Sequence, residues 1–143
     1  MYEKILLPTD GSSATVQALD HALAIGAAHD STIHVLYVYD RRHYMAAPEE
    51  TKAEVRKSLD EEAERATEDA QIRIEDDGLT CVTATEEGIP HKTIVEYATA
   101  EDIDLVVMGT HGKTGREQIA TLGSTTERVV KSGDVPVLVV ELK

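Results

Sequence analysis

The sequence predicts a doubly wound α/β domain. Three observations carry this. Short runs rich in Val, Ile and Leu recur along the chain, too brief for helices. Longer stretches of 3.6-residue periodicity separate them. The chain has 143 residues, the length of one such domain with a proper core. Regular alternation of the two patterns implies parallel strands joined by right-handed crossovers. No repeat, low-complexity segment or linker interrupts it, so residues 1–143 are expected to form one domain.

Residues 4–8, Lys-Ile-Leu-Leu-Pro, read as a short buried strand. Thr9, Asp10, Gly11, Ser12 and Ser13 follow as a turn with several candidate helix caps. Residues 14–28 place Leu19, Ala22, Leu23 and Ala27 on one helical stripe. Residues 31–39 form a second strand, closed by Asp40, Arg41 and Arg42. Residues 43–48 lack periodicity and are expected as loop. A long helix should run from Glu49 to about Ile74, with Val55, Leu59, Ala63, Ala66 and Ala70 against the sheet. Glu61 with Arg65 and Asp69 with Arg73 are favourable i,i+4 pairs, each worth only a few tenths of a kcal/mol.

Asp76, Asp77 and Gly78 end that helix, and residues 80–85 are a third strand. Gly88-Ile89-Pro90 leads into a helix over residues 91–100, Pro90 suiting its first turn. Residues 105–108 are the fourth strand. Residues 123–131 form the last helix, stopped by Gly133 as a C-terminal cap. Residues 135–141 are the fifth strand.

The fourth strand stops abruptly at Gly109-Thr110-His111-Gly112. Gly109 and Gly112 let the backbone turn and let a ligand approach main-chain N–H groups. Gly123-Ser124-Thr125-Thr126-Glu127 then opens a helix. Ser124 and Glu127 have the spacing of a capping box, and the free N–H groups of that terminus suit an anion. Doubly wound sheets hold ligands at the carboxyl ends of strands where the winding reverses. If the first and fourth strands are central neighbours, Pro8-Thr9-Asp10 and Met108-Gly109 meet there, flanked by Val38-Tyr39-Asp40. His111, Lys113 and Arg116 form a small basic cluster suited to a polyphosphate. Gly112-Lys113-Thr114 mimics the end of a P-loop, but the glycine required five positions earlier is Val107. Lys113-Thr114-Gly115 mimics a β-lactamase element without the accompanying S-x-x-K.

Composition narrows the partners. Aromatic residues are 3%, all tyrosine, which argues against stacking platforms for single-stranded nucleic acid. Net charge is −13, so attraction to nucleic acid or anionic membranes is not expected. Twelve acidic and five basic residues fall within residues 49–77. They read as a solvated helix face, or as adaptation to a salt-rich cytoplasm. The single cysteine, Cys81, allows no internal disulfide, fits a reducing cytosol and reads as a core residue. No signal peptide or membrane-length apolar run is evident. The six histidines lack zinc-site spacing, so no metal site is expected.

The chain resembles the universal stress protein family. Lys4-Ile5-Leu6-Leu7-Pro8-Thr9-Asp10-Gly11-Ser12 at the start carries the likeness. So do residues 104–112 in the middle, Gly123-Ser124-Thr125-Thr126-Glu127-Arg128-Val129-Val130, and Val135-Pro136-Val137-Leu138-Val139-Val140 at the end. The resemblance implies a five-stranded parallel sheet of order 3-2-1-4-5 flanked by helices on both faces, an adenine-nucleotide alpha-hydrolase-like arrangement. One branch of the family binds ATP through G-x2-G-x9-G-[S/T]. Carried over, Asp10 would meet the ribose, with Pro8 and Thr9 beside the base. Val38 would read the adenine edge with its backbone, and Met108 would pack near it. Gly109, Gly112, Gly123, Ser124 and Thr125 would line ribose and phosphates, with His111 and Lys113 close by. One departure stands out: residues 113–122 number ten, not nine.

The resemblance therefore implies a cytoplasmic ATP-, ADP- or AMP-binding regulatory protein of the stress response. Magnesium could arrive on the phosphates. No general base is evident, so hydrolysis should be slow at most. The alternative is a nucleotide-free dimeric interaction module acting through protein partners. A homodimer would form through residues 135–140, apolar on both faces and at the sheet edge, where bare strands invite pairing. Pro136 lacks an N–H, so pairing should centre on residues 137–139.

Overall fold

A computed structural model describes residues 1–40, 42–109 and 124–141. Its strands are β1 (Lys4–Thr9), β2 (Thr32–Tyr39), β3 (Thr80–Glu87), β4 (Leu105–Gly109) and β5 (Val137–Val140). Its helices are α1 (Ser13–His29), α2 (Arg42–Met45), α3 (Lys52–Asp76), α4 (Pro90–Ala100) and α5 (Ser124–Ser132). All five strands are parallel, in the order β3-β2-β1-β4-β5.

Alternation along β1 divides the core. Ile5 and Leu7 face one way and pack, with Ile33, Val35 and Val107, against Leu19 and Ala22 of α1 and Ala70 and Ile74 of α3. Leu6 faces the other way and packs, with Leu36, Val106 and Met108, against Ile94 and Ala98 of α4 and Val129 of α5. Residues two apart share a face of a strand, so the central strands must be apolar throughout to serve both layers. The chain winds one way through α1 and α3 and the other through α4 and α5. The reversal falls between β1 and β4.

The amino ends of these two strands are joined by Asp104. Its Oδ2 accepts the N–H groups of Glu3 and Lys4, each at 3.0 Å. The Asp104 N–H donates to the Lys4 carbonyl at 2.8 Å.

Several local expectations change. Residues 43–48 were expected as loop, yet Arg42–Met45 form a short helix. Asp40 seeds it: Oδ1 accepts the Arg42 N–H at 2.9 Å, filling a bond the helix itself cannot make. The fifth strand starts at Val137, because Pro136 has no N–H for the ladder. The third strand runs two residues further than expected, to Glu87, following β2. Gly133 follows α5 with its N–H on the Val129 carbonyl at 3.0 Å, but it is not left-handed; the described left-handed glycines are Gly11 and Gly78.

The stripe on α3 is as expected at Ala63 and Ala70, with Thr67 and Ile74 completing it. Thr67 is tolerated because its hydroxyl donates to the Ala63 carbonyl at 2.9 Å. The surface pairs differ. Arg73 reaches across to Asp20 of α1 at 2.6 Å instead of pairing with Asp69. Among the described residues Glu61 and Arg65 form no pair. An exposed ion pair contributes about 0–1 kcal/mol, against about 1.5–3 kcal/mol for one buried aliphatic side chain. Burial of Ile74, not the ion pair, holds α3 down.

Candidate functional site

Hydrogen bonding leaves an opening at the point of reversal. Pairing of β1 with β2 continues to Thr9 opposite Tyr37. Pairing of β4 with β5 continues to Gly109 opposite Val140. Pairing of β1 with β4 stops at Leu6 opposite Val106. Continued, that register would set Pro8 level with Met108 and Thr9 level with Gly109. Pro8 has no N–H to donate, which accounts for the early end of the ladder. On the other side of β1, Val38 and Tyr39 run past Thr9 and pair, among the described residues, only with Glu86 and Glu87 of β3.

The rim is polar. Thr9 is buried; its hydroxyl donates to Thr15 Oγ1 and accepts the Gly11 N–H, both at 3.0 Å. Asp10 is exposed, and its Oδ1 accepts the Ser12 N–H at 2.9 Å. Gly11 supplies the positive φ, 82°, that this turn requires. Ser12 takes the N-cap position of α1 but makes no side-chain cap bond. Tyr37 lies beneath; burial, and then the charges of Glu62 and Asp10, raise its phenol above the ordinary value, so it stays a neutral donor.

The β4 side is set by two helix starts. A Cβ on Gly109 would lie 3.0 Å from the Ala14 carbonyl oxygen and 3.1 Å from Ala14 Cβ. Gly109 is therefore required by the close approach of α1. Its carbonyl accepts the Thr126 hydroxyl at 3.1 Å, which seats the start of α5 over β4. Ser124 is exposed and Thr125 half-buried. The expected capping box does not form. Ser124 lies inside α5, and Glu127 pairs with Lys131 at 2.8 Å.

Six of the expected site residues thus gather at the β1, β2 and β4 ends: Pro8, Thr9, Asp10, Val38, Met108 and Gly109. Met108 is buried in the α4–α5 layer. Ser124 and Thr125 open α5, which Thr126 ties to β4. His111, Gly112, Lys113, Arg116 and Gly123 lie outside the described residues, as does the ten-residue spacer. Sequence reading missed Thr126 and the Asp40–Arg42 pair. The spacing Asp40-x-Arg42 after a strand was the available signal for the last.

Cys81 is half-buried against the core, and burial pushes its thiol up to about 11, so it stays protonated and poorly nucleophilic. Among the described residues, no group of three or more His, Cys, Asp or Glu could hold a metal ion. No described helix is long and apolar enough to cross a membrane.

The fold and the opening define a doubly wound α/β domain with its crevice between the first and fourth strands. The sequence profile of the universal stress protein family matches residues 1–141, and the chain belongs to that family. It is 40% identical over 142 residues to universal stress protein MJ0531 of Methanocaldococcus jannaschii, covering 99% of this chain and 83% of that one. The solved structure of MJ0577 from the same organism superposes with a TM-score of 0.87 at 40% identity, covering 100% of this chain and 98% of that one. Two more distant chains share the fold. A universal stress protein in complex with cAMP has a TM-score of 0.73 at 24% identity, covering 99% and 98% of the two chains. An Arabidopsis thaliana member with AMP bound has 0.72 at 17%, covering 98% and 92%.

Proposed function

We propose that this protein binds an adenine nucleotide, ATP with ADP or AMP as competitors, and acts as a regulator in the stress response. The observation that carries this reading is the early end of β1–β4 pairing, which opens a slot between Pro8-Thr9 and Met108-Gly109. The donor set suits the ligand. Asp10 offers an exposed carboxylate to ribose hydroxyls. The extended edge of β2 at Val38 offers main-chain groups to the adenine edge. The N–H groups at the start of α5, which have no partner within the helix itself, and the hydroxyls of Ser124 and Thr125 suit phosphates. Gly112, Gly123, His111 and Lys113 would complete the phosphate cradle, and magnesium would come with the phosphates. The same fold holds cAMP and AMP in two solved relatives.

The role is regulatory. Among the described residues no side chain at the slot is a base poised to activate water, which supports turnover that is slow at most. The chain acts in the cytoplasm as one domain. Mass spectrometry of nucleotide carried through purification, followed by calorimetry with ATP, tests the reading. Heat and a stoichiometry near one support it; no heat and no thermal shift overturn it.

A second reading is favoured by the edge strand β5. Val137, Leu138 and Val139 are only half-buried there. A homodimer pairing these edges antiparallel about a two-fold axis would cover them, and would let the protein act through partners without nucleotide. Light scattering of a monomer at micromolar concentration would exclude the dimer.

A further inference from the structure

We propose that the outer edge of β3 is a docking strand for an extended segment of a partner protein in which basic and apolar residues alternate.

β3 ends the sheet on the side away from β5. It pairs with β2 along its whole length, from Thr80 to Glu87, and Gly88 then donates its N–H to the Tyr39 carbonyl at 3.1 Å. Main-chain groups turn to alternate sides along a strand, so Thr80, Val82, Ala84 and Glu86 turn toward β2 as Gly88 does. Cys81, Thr83 and Thr85 turn their N–H and C=O groups outward. Among the described residues nothing pairs with those groups.

This edge lacks the usual guards. Edge strands are commonly kept short, or broken by proline, lysine or a bulge, because open main-chain groups invite another strand. β5, at the opposite end, has 4 residues and is preceded by Pro136. β3 has 8 residues and no proline, lysine or glycine. Its Thr80, Val82, Thr83 and Thr85 favour extended chain.

Charge names the occupant. α3 packs over β2 and β3, and its Arg73 marks the flank facing α1 by pairing with Asp20. Helical spacing sets Asp60, Glu64, Glu68 and Glu75, all exposed, on the opposite flank, above the β3 edge, with Lys57 as the cation among them. Glu75 lies close enough to Cys81 that its charge, after burial, raises the thiol. A strand added to β3 would run beneath these carboxylates. On the sheet's other face Val82 is 38% exposed and Ala84 packs, half-buried, against the α4–α5 layer. Side chains of the added strand alternate between the two faces, so basic residues would meet α3 and apolar residues would meet Val82 and Ala84. A second copy of this chain fits poorly, since each copy carries a net charge of −13 and would bring the same acids to the edge.

The test is titration of the isotope-labelled full chain with a blocked peptide of alternating lysine and valine, following backbone amides by NMR in dilute buffer. Saturable shifts are expected at Cys81, Thr83 and Thr85, with the amides of β5 unmoved. Thr83→Pro removes the central outward N–H at an edge where proline is tolerated, and should weaken binding about tenfold. Glu64→Gln combined with Glu75→Gln leaves the sheet untouched and should also weaken binding; it carries the test if the Thr83→Pro chain does not fold. A peptide of the same composition with lysines and valines in separate blocks, and one alternating glutamate with valine, should each bind about tenfold more weakly. Equal binding of these controls, absent or linear shifts along β3, or wild-type titration of the variants overturns the proposal. So does a dimer in light scattering that Thr83→Pro dissolves, which would make a second copy the occupant.

Discussion

Thr126 of α5 donates its hydroxyl hydrogen to the carbonyl of Gly109, the last residue of β4, at 3.1 Å. That one bond seats a helix start over the end of a central strand. It also occupies an acceptor that β4 could not otherwise satisfy from a neighbouring strand. Thr126→Val should lower stability by about 1–2 kcal/mol, because a carbonyl loses its donor while packing is kept. Urea denaturation measures this, and Thr126→Ser should recover most of the loss.

Gly109→Ala tests the close approach of α1. The new methyl would lie 3.0 Å from a main-chain oxygen of Ala14, which has no freedom to turn aside. A stability loss of about 1–3 kcal/mol is expected, as for overpacking elsewhere. Calorimetry with ATP should show weaker binding as well, since α1 must shift at the mouth of the slot.

Asp10→Asn separates two roles of one side chain. Asparagine keeps an oxygen to accept the Ser12 N–H, so the turn and the melting temperature should hold. Affinity for ATP should fall about tenfold, through weaker bonds to the ribose. Asp10→Ala should lose both. Equal ATP affinity for wild type and Asp10→Asn would remove Asp10 from the site.

His34 gives the fold a pH dependence. It is buried on β2, with Nδ1 2.8 Å from the Tyr97 hydroxyl of α4. Burial lowers its pKa below 6.5, with Glu101 opposing and Lys4 reinforcing the shift. The unfolded chain therefore takes up this proton more readily than the folded one. The stability it contributes is complete above about pH 6.5 and is lost as pH falls below that through the folded value. Urea midpoints at pH 7.5 and 5.5 should differ in that sense, and His34→Gln should flatten the difference.

The acidic surface predicts salt dependence. With a net charge of −13, much of it along α3, the folded state repels itself in dilute buffer. The melting temperature should rise with potassium chloride between 0.1 and 2 M. A flat profile would exclude adaptation to high salt.

The strands were legible in sequence because each depends on local pattern, and their order followed from the family resemblance. Ile5, Leu6 and Leu7 announce a strand buried on both faces wherever they occur. Asp10, Gly109 and Ser124 stand in family-like motifs whose spacing survives without coordinates. What was not legible depends on partners far apart in the chain. Arg73 has Asp69 four residues away, yet it chooses Asp20, because α1 and α3 lie side by side on one face. Glu127 could have closed a capping box, but Lys131 one turn ahead draws its carboxylate away. Thr126 looked like any residue in a helix start until β4 was placed beneath it. The early end of the β1–β4 ladder follows from Pro8, but only once its neighbour is known.

Asp104 has a mechanical consequence. It fastens the roots of β1 and β4 by taking both amides of Glu3 and Lys4, whereas the tips of the same strands are untied. A guest wedged between the tips can spread only their last few residues. If the proposed nucleotide binds there, the paired residues Ile5 and Leu105 should stay put, and the core need not yield.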